Sequence, residues 1–267
     1  MTHDEVAAEL LGALDGATLV PLITARDPAF TLADGFAVGD QLRARRIARG
    51  ERPVGYKIGF TNRGIWARYG VHAPIWGPVW DSTATLLPGA EAQVSLAPLS
   101  QPRLEPEIVF GFARTPRAGM SEAELAACLD WVAHGFEIVH SHHEGWRFKA
   151  PDCLADGALH GRLFVGPRVP VSTFHDLGAE LAALKVELHG PDGLAETGVA
   201  SIVLDGPLNA LRLWVDAMSE HTPGWPIRPG DFVTTGTITD AWPLQPGQRW
   251  HTVLSDARLA GLTLETT

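Results

Sequence analysis

From Pro53 to its end, the chain consists of short β-branched or aromatic runs separated by glycine and proline. Runs of this length and composition are typical of strands, and glycine and proline mark the turns between them. They read PVGYKIGFT, EIVFGFAR, FEIVH, RLFVG, LKVELHG, DFVTTGTIT, RWHTVL and LAGLTLET. Because 28 glycines and 20 prolines interrupt the chain, the sequence predicts a β-rich body.

The first 52 residues follow a helical pattern instead. The segment THDEVAAELLGAL has an acidic first turn, and a second segment begins with the cap-like pair Thr31 and Asp34 and stops at Gly50. We therefore expect a small helical N-terminal subdomain over residues 1–52 and a β-rich domain over residues 53–267.

Two further helices are predicted inside the β-rich part. SEAELAACLDWVAHG starts with the capping-box pair Ser121 and Glu124, and GPLNALRLWVDAMSEH has Pro207 near its first turn. HGPDGLAETG predicts a hairpin turn at residues 191–193. The predicted fold class is α+β.

Composition excludes several classes of protein. Hydrophobic residues make up 45% of the chain and charged residues 19%, as in a folded protein. The net charge of -10, with no basic block, argues against a nucleic-acid partner. No apolar run approaches the roughly 18 residues of a membrane span, and no signal peptide precedes the two cysteines, Cys128 and Cys153. We expect a cytoplasmic protein with no membrane association.

The run RLEPEIVF places two carboxylates where a strand should place core residues. Alternation along a strand puts Glu105 and Glu107 on one face, and like charges so close repel each other unless a cation or hydrogen bonds compensate. Pro106 between them favours an edge or bulged position. A solvated acidic face on an edge strand is the alternative to a metal site.

A third glutamate, Glu137, stands alone in the apolar run GFEIVH. Three hard oxygen ligands, with the other coordination positions left to water and substrate, suit Mg²⁺ or Mn²⁺. The three residues together predict a divalent metal site.

Seven segments, taken in order, resemble the 2-keto-4-pentenoate hydratase and 4-oxalocrotonate decarboxylase branch of the fumarylacetoacetate hydrolase superfamily. They are GYKIGFTN, IWG, PRLEPEIVF, FEIVHS, LADG, GPLNAL with LWV, and GDFVTTGT. The resemblance implies a β-roll-like catalytic fold of the fumarylacetoacetate hydrolase C-terminal type, with a small helical N-terminal part. It also implies a Mg²⁺ or Mn²⁺ cofactor and a homo-oligomer, and it leaves open a complex with a partner enzyme of the same pathway.

The resemblance also assigns roles to residues. Glu105, Glu107 and Glu137 become the metal ligands, and Lys57 becomes a catalytic lysine, for which a surface lysine is the alternative. Asp156 is a candidate catalytic acid, although Gly157 replaces the asparagine that the family has after it. Thr237 is a candidate substrate-binding residue, with a turn threonine as the alternative.

Two features distinguish this chain within the family. Ile75 stands where hydratases often have an acid and where the decarboxylases tend to have an apolar residue, and we expect it to line the substrate site. The HSHH segment could form a zinc or iron site, but hydrogen-bonded histidines are the commoner outcome. We expect His140 to His143 at the pocket rim near Trp146, with His142 contacting substrate.

The function implied is a lyase acting on a 2-oxo or 2-hydroxydienoic acid, in which the metal stabilises an enolate during hydration or decarboxylation. One alternative is C–C bond hydrolysis of an acylpyruvate, which uses a His–Glu pair to activate water. His142 or His143 with Glu144 could supply that pair. A further alternative is a non-catalytic protein that binds a 2-oxo acid.

Overall fold

The computed structural model describes residues 1–267 and contains eight α-helices. None of them combines the length and the apolar composition that a membrane span requires. The helices are α1 His3–Gly16, α2 Ile23–Arg26, α3 Leu32–Ala48, α4 Trp66–Tyr69, α5 Glu122–Ala126, α6 Ala150–Ala155, α7 Leu177–Ala182 and α8 Pro207–His221.

The fourteen strands all follow the N-terminal helices. They are β1 Pro53–Gly59, β2 Ile75–Trp80, β3 Ala84–Leu86, β4 Glu91–Val94, β5 Arg103–Phe112, β6 Leu129–Val139, β7 His160–Val165, β8 Val169–Pro170, β9 Lys185–His189, β10 Ala195–Val199, β11 Phe232–Thr234, β12 Trp242–Pro243, β13 Arg249–Leu254 and β14 Thr263–Thr266. This combination of helices and strands is the predicted α+β class.

The N-terminal helices form where the sequence predicts them. Capping boxes start α1 at Thr2 and α3 at Thr31, so the first free N–H groups of each helix have acceptors. The apolar faces of α1 and α3 pack together through Leu10 and Val38, and Ala155 of α6 joins the same cluster. The helices therefore rest directly on the strand-rich part, and the boundary at residue 52 stays a prediction.

The strands form two sheets. The larger has the order β2-β1-β11-β5-β6-β7-β3, with β12 also pairing β5 and β8 pairing β6. The smaller has the order β10-β9-β13-β14-β4, and its β9–β10 hairpin turns at residues 191–193, as predicted.

The long strands β5 and β6 form the middle of the larger sheet, and their two faces differ. One face of β5 is apolar: Ile108 and Phe110 belong to the core that contains Trp214 of α8, and Leu104 packs with Trp250 of the smaller sheet. The opposite face carries the glutamates. On that opposite face, Val109 packs with Ala133 and Leu163, so the glutamates stand beside a second apolar cluster.

The helix predicted after Ser121 is wrong in its extent. Ser121 does cap α5, but that helix ends at Ala126, and β6 begins at Leu129. Within β6, Val132 pairs with Phe110 in a long antiparallel ladder with β5. This long-range pairing outweighs the local helical pattern.

The edge position predicted from Pro106 is also wrong, because β5 lies between β6 and β11. Pro106 instead occupies a gap on one side of β5, between the pairing of Val109 with β11 and that of Leu104 with β12. Its carbonyl oxygen accepts a hydrogen bond from the N–H of Ile238 at 3.0 Å. The missing N–H of proline therefore breaks no strand pairing.

Candidate metal-binding active site

Three glutamates converge on the face of the larger sheet opposite α8. Glu105 and Glu107 project from the same face of β5, and Glu137 of β6 lies directly opposite Glu105 in the strand register. One carboxylate oxygen from each residue lies within 4.8 Å of the others. Glu107 and Glu137 are fully buried, so the alternative of a solvated acidic face does not apply to them.

The hydrogen bonds at this site use one oxygen of each buried carboxylate. Glu107 Oε2 accepts from the hydroxyl of Thr234 and from the N–H of Gly236 at 2.6 Å, whereas Glu107 Oε1 is buried without a hydrogen bond. Glu137 Oε1 lies 2.8 Å from His160 Nδ1, and Glu137 Oε2 has no hydrogen bond. A buried carboxylate oxygen without a partner is costly. Glu107 Oε1, together with Glu105 and with Glu137 Oε2, whose ion-pair partner is Lys57 Nζ at 3.3 Å, fits a divalent cation.

The charges of the three glutamates affect each other. Burial raises the pKa of Glu105 to about 7, against an ordinary value of 4.5. Burial and the charges of Glu137 and Glu105 raise the pKa of Glu107 further. For Glu137, Lys57 and His160 outweigh burial and keep its pKa below the ordinary value. A cation would favour the ionised form of all three.

Lys57 of β1 is the positive group of the site. Its side chain is 5% exposed, and Nζ lies 3.3 Å from Glu137 Oε2 as an ion pair whose geometry falls outside a hydrogen bond. Burial lowers the pKa of Lys57, but the nearby glutamates more than compensate and raise it overall. The alternative of a surface lysine is excluded, and the catalytic role stays a prediction.

An open pocket of about 370 Å³ reaches this site. Lys57 and Glu105 form part of its wall, and Ile75 and Thr237 also line it. The Thr237 hydroxyl donates to the carbonyl of Thr239 at 2.9 Å, as a turn threonine does. The lining also includes aromatic and basic side chains: Phe60, Arg68, Tyr69, Arg103, Trp146, Phe148 and Trp242.

Asp156 and His142 do not line this pocket. They pair with each other: His142 Nδ1 lies 2.6 Å from Asp156 Oδ1, and the His142 N–H donates to Asp156 Oδ2 at 3.1 Å. Both line a separate, small cavity of about 20 Å³ near α3, together with His140 and His160. The geometry therefore does not support the substrate contact predicted for His142, and the catalytic role of Asp156 stays a prediction.

The placement of the HSHH segment at the pocket rim is wrong. His140, His142 and His143 are at most 2% exposed because the chain turns inward after β6, and only Trp146 reaches the pocket. No group of three metal-ligating side chains converges there, so a zinc or iron site is not formed. Glu144 is exposed, and His142 pairs with Asp156 instead of a glutamate.

Sequence reasoning missed His160, whose Nδ1 forms a hydrogen bond with Glu137 Oε1. His160 Nε2 lies 2.8 Å from the hydroxyl of Thr83, which also accepts the N–H of Trp80 at 3.2 Å. Because an ionised Glu137 accepts only, His160 Nδ1 must carry the proton. The Thr83 hydroxyl is then the donor available to Nε2 at 2.8 Å, in competition with the Trp80 carbonyl oxygen at 3.2 Å. No local signal in ALHGRLFV reveals this contact, since it depends on the pairing of β6 with β7.

Curated relatives cover most of the chain, although no family model matches it. The chain is 31% identical over 238 residues to 2-hydroxyhexa-2,4-dienoate hydratase of Comamonas testosteroni, covering 89% of this chain and 87% of the relative. It is 30% identical to 4-oxalocrotonate decarboxylase of Pseudomonas sp. strain CF600, covering 92% of each. It is also 30% identical to 2-keto-4-pentenoate hydratase of Paraburkholderia xenovorans strain LB400, covering 92% of this chain and 88% of the relative.

The fold agrees with these relationships. 4-Oxalocrotonate decarboxylase from Pseudomonas putida G7, solved in complex with magnesium and adipate, superposes with a TM-score of 0.90 at 25% identity. The match covers 99% of this chain and 97% of the solved chain, which confirms the predicted fold. The chain belongs to the 2-keto-4-pentenoate hydratase and 4-oxalocrotonate decarboxylase branch of the fumarylacetoacetate hydrolase superfamily.

Proposed function

We propose that this protein is a divalent-metal-dependent lyase acting on a 2-oxo or 2-hydroxydienoic acid, with Glu105, Glu107 and Glu137 as the metal ligands. The observation that carries the proposal is the convergence of three carboxylates within 4.8 Å, with Glu107 Oε1 buried without a hydrogen bond and one lysine, Lys57, as the neighbouring positive charge. The magnesium in the decarboxylase of Pseudomonas putida G7 supports Mg²⁺, or Mn²⁺ of similar ligand preference, as the cofactor.

A divalent ion at this site supplies a Lewis acid for negative charge that develops on a 2-oxo acid. The chain itself provides the setting for that chemistry. Thr234 and Gly236 bind one oxygen of Glu107, and His160 binds one oxygen of Glu137, so both carboxylates are held in fixed positions. Fixed ligands avoid reorganisation when charge moves during the reaction.

Lys57 is the proton donor that this chain offers. Its ammonium group is buried at the wall of the pocket, and the surrounding glutamates keep it protonated. In decarboxylation of 4-oxalocrotonate, the electron pair of the broken C–C bond moves through the conjugated double bond to the 2-oxo oxygen, which takes up a proton. The Nζ of Lys57 can donate that proton or hold the oxygen's charge by a hydrogen bond.

Ile75 favours decarboxylation over hydration. It is 5% exposed, lines the pocket and lies opposite Gly59 at the end of the β1–β2 pairing. Hydration requires a polar group to direct water to the distal carbon, and the side chain of Ile75 provides none. Decarboxylation requires only the electron sink at the other end of the substrate.

The test is to incubate the purified protein with Mg²⁺ and either 4-oxalocrotonate or 2-hydroxypentadienoate. Release of CO₂ and formation of the 4-hydroxy-2-oxo acid are measured separately, and an acylpyruvate is assayed in parallel. We expect CO₂ from 4-oxalocrotonate and loss of activity with EDTA. Efficient hydration without CO₂ release would contradict the role given to Ile75. Hydrolysis of the acylpyruvate without turnover of the other two compounds would contradict the proposed lyase activity. Turnover of none of the three compounds would indicate a binding protein.

We also propose that the protein is a cytoplasmic homo-oligomer. Light scattering on the purified protein measures its mass directly, and a mass of 28.7 kDa would identify a monomer and contradict the oligomer. A complex with an enzyme of the same pathway requires a separate co-purification test.

A further inference from the structure

The turn that joins α6 to β7 has an unusual backbone. Gly157, Ala158 and Leu159 have φ angles of 61°, 55° and 65°, all in the left-handed region. Glycine adopts that region freely, whereas alanine and leucine are strained there. A strained conformation persists only where the surrounding contacts hold it. Residues 157–159, which we call the left-handed turn, therefore require such contacts.

The left-handed turn adjoins two parts of the candidate site. Ala158 and Leu159 line the pocket that contains Lys57. The next residue along the chain is His160, whose Nδ1 lies 2.8 Å from Glu137 Oε1. A change in the turn would move the pocket wall and also the backbone from which His160 projects. The shape of the turn therefore affects both the pocket and a candidate metal ligand.

Backbone contacts determine where the left-handed turn lies. The Leu159 N–H donates to the carbonyl of Asp156 at 3.0 Å, and the Leu159 carbonyl accepts from the N–H of His140 at 2.9 Å. The turn also packs closely on β2, where a Cβ added to Gly77 would lie 2.5 Å from the carbonyl oxygen of Gly157. Asp156, the residue that precedes the turn, adds contacts of its side chain.

The Asp156 carboxylate joins the start of the turn to the segment that follows β6. One oxygen lies 2.6 Å from His142 Nδ1, and the other accepts from the His142 backbone N–H at 3.1 Å. Burial raises the pKa of Asp156, but His142 more than offsets this and keeps the pKa below its ordinary value. The carboxylate is therefore ionised and accepts both bonds, and hydrogen bonds to a charged group are stronger than neutral ones.

This pair connects the two strands that share the Glu137–His160 contact. His142 follows β6, on which Glu137 lies, and Asp156 precedes β7, which begins at His160. The register of the β6–β7 pairing shifts at this end, so the ladder is irregular there. A side-chain contact just beyond the irregular pairing fixes the relative position of the two strand ends.

We propose that His142 and Asp156 are positioning residues that hold the left-handed turn in its strained shape and thereby keep His160 in contact with Glu137. The inference rests on the proposed function in taking Glu137 as a metal ligand. It goes beyond that function by giving the buried HSHH segment a role. The second histidine of that segment acts through the turn, without contacting metal or substrate.

The first measurement is hydrogen–deuterium exchange of the metal-free protein, with mass spectrometry of the peptide that contains residues 156–160. His142→Leu, which removes the ring donor, is expected to raise the exchange rate of this peptide about ten-fold. His142→Asn, whose side-chain N–H can replace Nδ1–H, is expected to change it little. The affinity for Mn²⁺ is expected to fall about ten-fold in His142→Leu and less than about three-fold in His142→Asn, with far-UV circular dichroism unchanged in both.

Glycine at a strained position provides the second measurement. Because glycine adopts a positive φ freely, Ala158→Gly in the His142→Leu background is expected to recover about five-fold in Mn²⁺ affinity. Ala17→Gly is the matched control. Ala17 follows α1 with a φ of 48° and does not line the pocket, so this substitution relieves similar strain without changing the Mn²⁺ affinity. If His142→Leu does not fold, the comparison is made in Asp156→Asn, which removes the charge and keeps the shape.

Unchanged exchange and unchanged Mn²⁺ affinity in His142→Leu would overturn the inference, and so would a loss that Ala158→Gly does not recover. Loss of turnover in Asp156→Asn with normal exchange and normal Mn²⁺ affinity would also overturn it, and would make Asp156 a catalytic residue. Failure of the unaltered protein to bind Mn²⁺ would contradict the proposed function. The exchange measurement, made without metal, would still decide whether the pair holds the turn.

Discussion

Replacing Glu105 with glutamine is expected to stabilise the metal-free protein at alkaline pH. Glu105 shares its site with Glu107 and Glu137, and without a cation its charge adds repulsion and loses hydration. Glutamine has nearly the same shape and no charge. The substitution therefore removes the unfavourable charge while leaving the packing of β5 unchanged.

The magnitude follows from the pKa of Glu105, which rises from 4.5 to about 7 on folding. Each pKa unit corresponds to about 1.4 kcal/mol, so full ionisation costs the folded state about 3 kcal/mol. Because Glu105 is partly exposed at the pocket, solvent screening reduces this to about 1–2 kcal/mol. The folded state binds the proton more tightly, so the cost is absent below pH 4.5 and complete above about pH 7.

The assay is urea unfolding in EDTA at pH 5 and pH 8, repeated with Mg²⁺ at pH 8. In EDTA, the free energy of unfolding of Glu105→Gln should be about 1–2 kcal/mol higher than that of the unaltered protein at pH 8. At pH 5 the two values should differ little. With Mg²⁺ at pH 8, the unaltered protein should become the more stable of the two, because only it gains stability from the ion. Glu91→Gln, an exposed strand position, is the control with no expected effect. A variant less stable than the unaltered protein in EDTA at pH 8 would refute the reasoning.

Three further predictions follow from the same contacts. Lys57→Met should lower turnover at least a hundred-fold with a small change in melting temperature; unfolding without loss of specific activity would instead make Lys57 structural. Thr83→Val should weaken Mn²⁺ binding about ten-fold by freeing His160, and Thr83→Ser, which keeps the hydroxyl, should restore it in calorimetric titrations. Because protonation of Glu105 and Glu107 competes with the metal, the affinity for Mn²⁺ should fall as the pH decreases below about 7; an affinity independent of pH between 5 and 8 would contradict their role.

The sequence predicts the three glutamates of the site because simple local patterns identify them. Alternation along a strand places Glu105 and Glu107 together, and the isolated Glu137 identifies a second strand with the same anomaly. The register that places Glu137 opposite Glu105 depends on the β5–β6 pairing, which no local pattern encodes. The convergence of the three residues therefore needed the structure.

The errors have the same origin. The helix predicted beyond Ala126 gave way to β6, because pairing with β5 is a long-range effect. His142 was expected at the pocket, but the turn after β6 directs it to Asp156 instead. His160 went unnoticed because its partner is 23 residues away on a neighbouring strand. Side-chain burial and cross-strand contacts are set by tertiary packing, and local sequence patterns do not report them.

The most direct test of the metal site is a titration of the metal-free protein with Mn²⁺ at pH 8, followed by electron paramagnetic resonance. We predict one Mn²⁺ bound per chain and a loss of at least a hundred-fold in affinity in each of the variants Glu105→Gln, Glu107→Gln and Glu137→Gln, with far-UV circular dichroism unchanged. The control variant Glu91→Gln should bind Mn²⁺ with the same affinity as the unaltered protein. Unchanged Mn²⁺ affinity in all three variants would show that these glutamates do not hold the metal and would contradict the account.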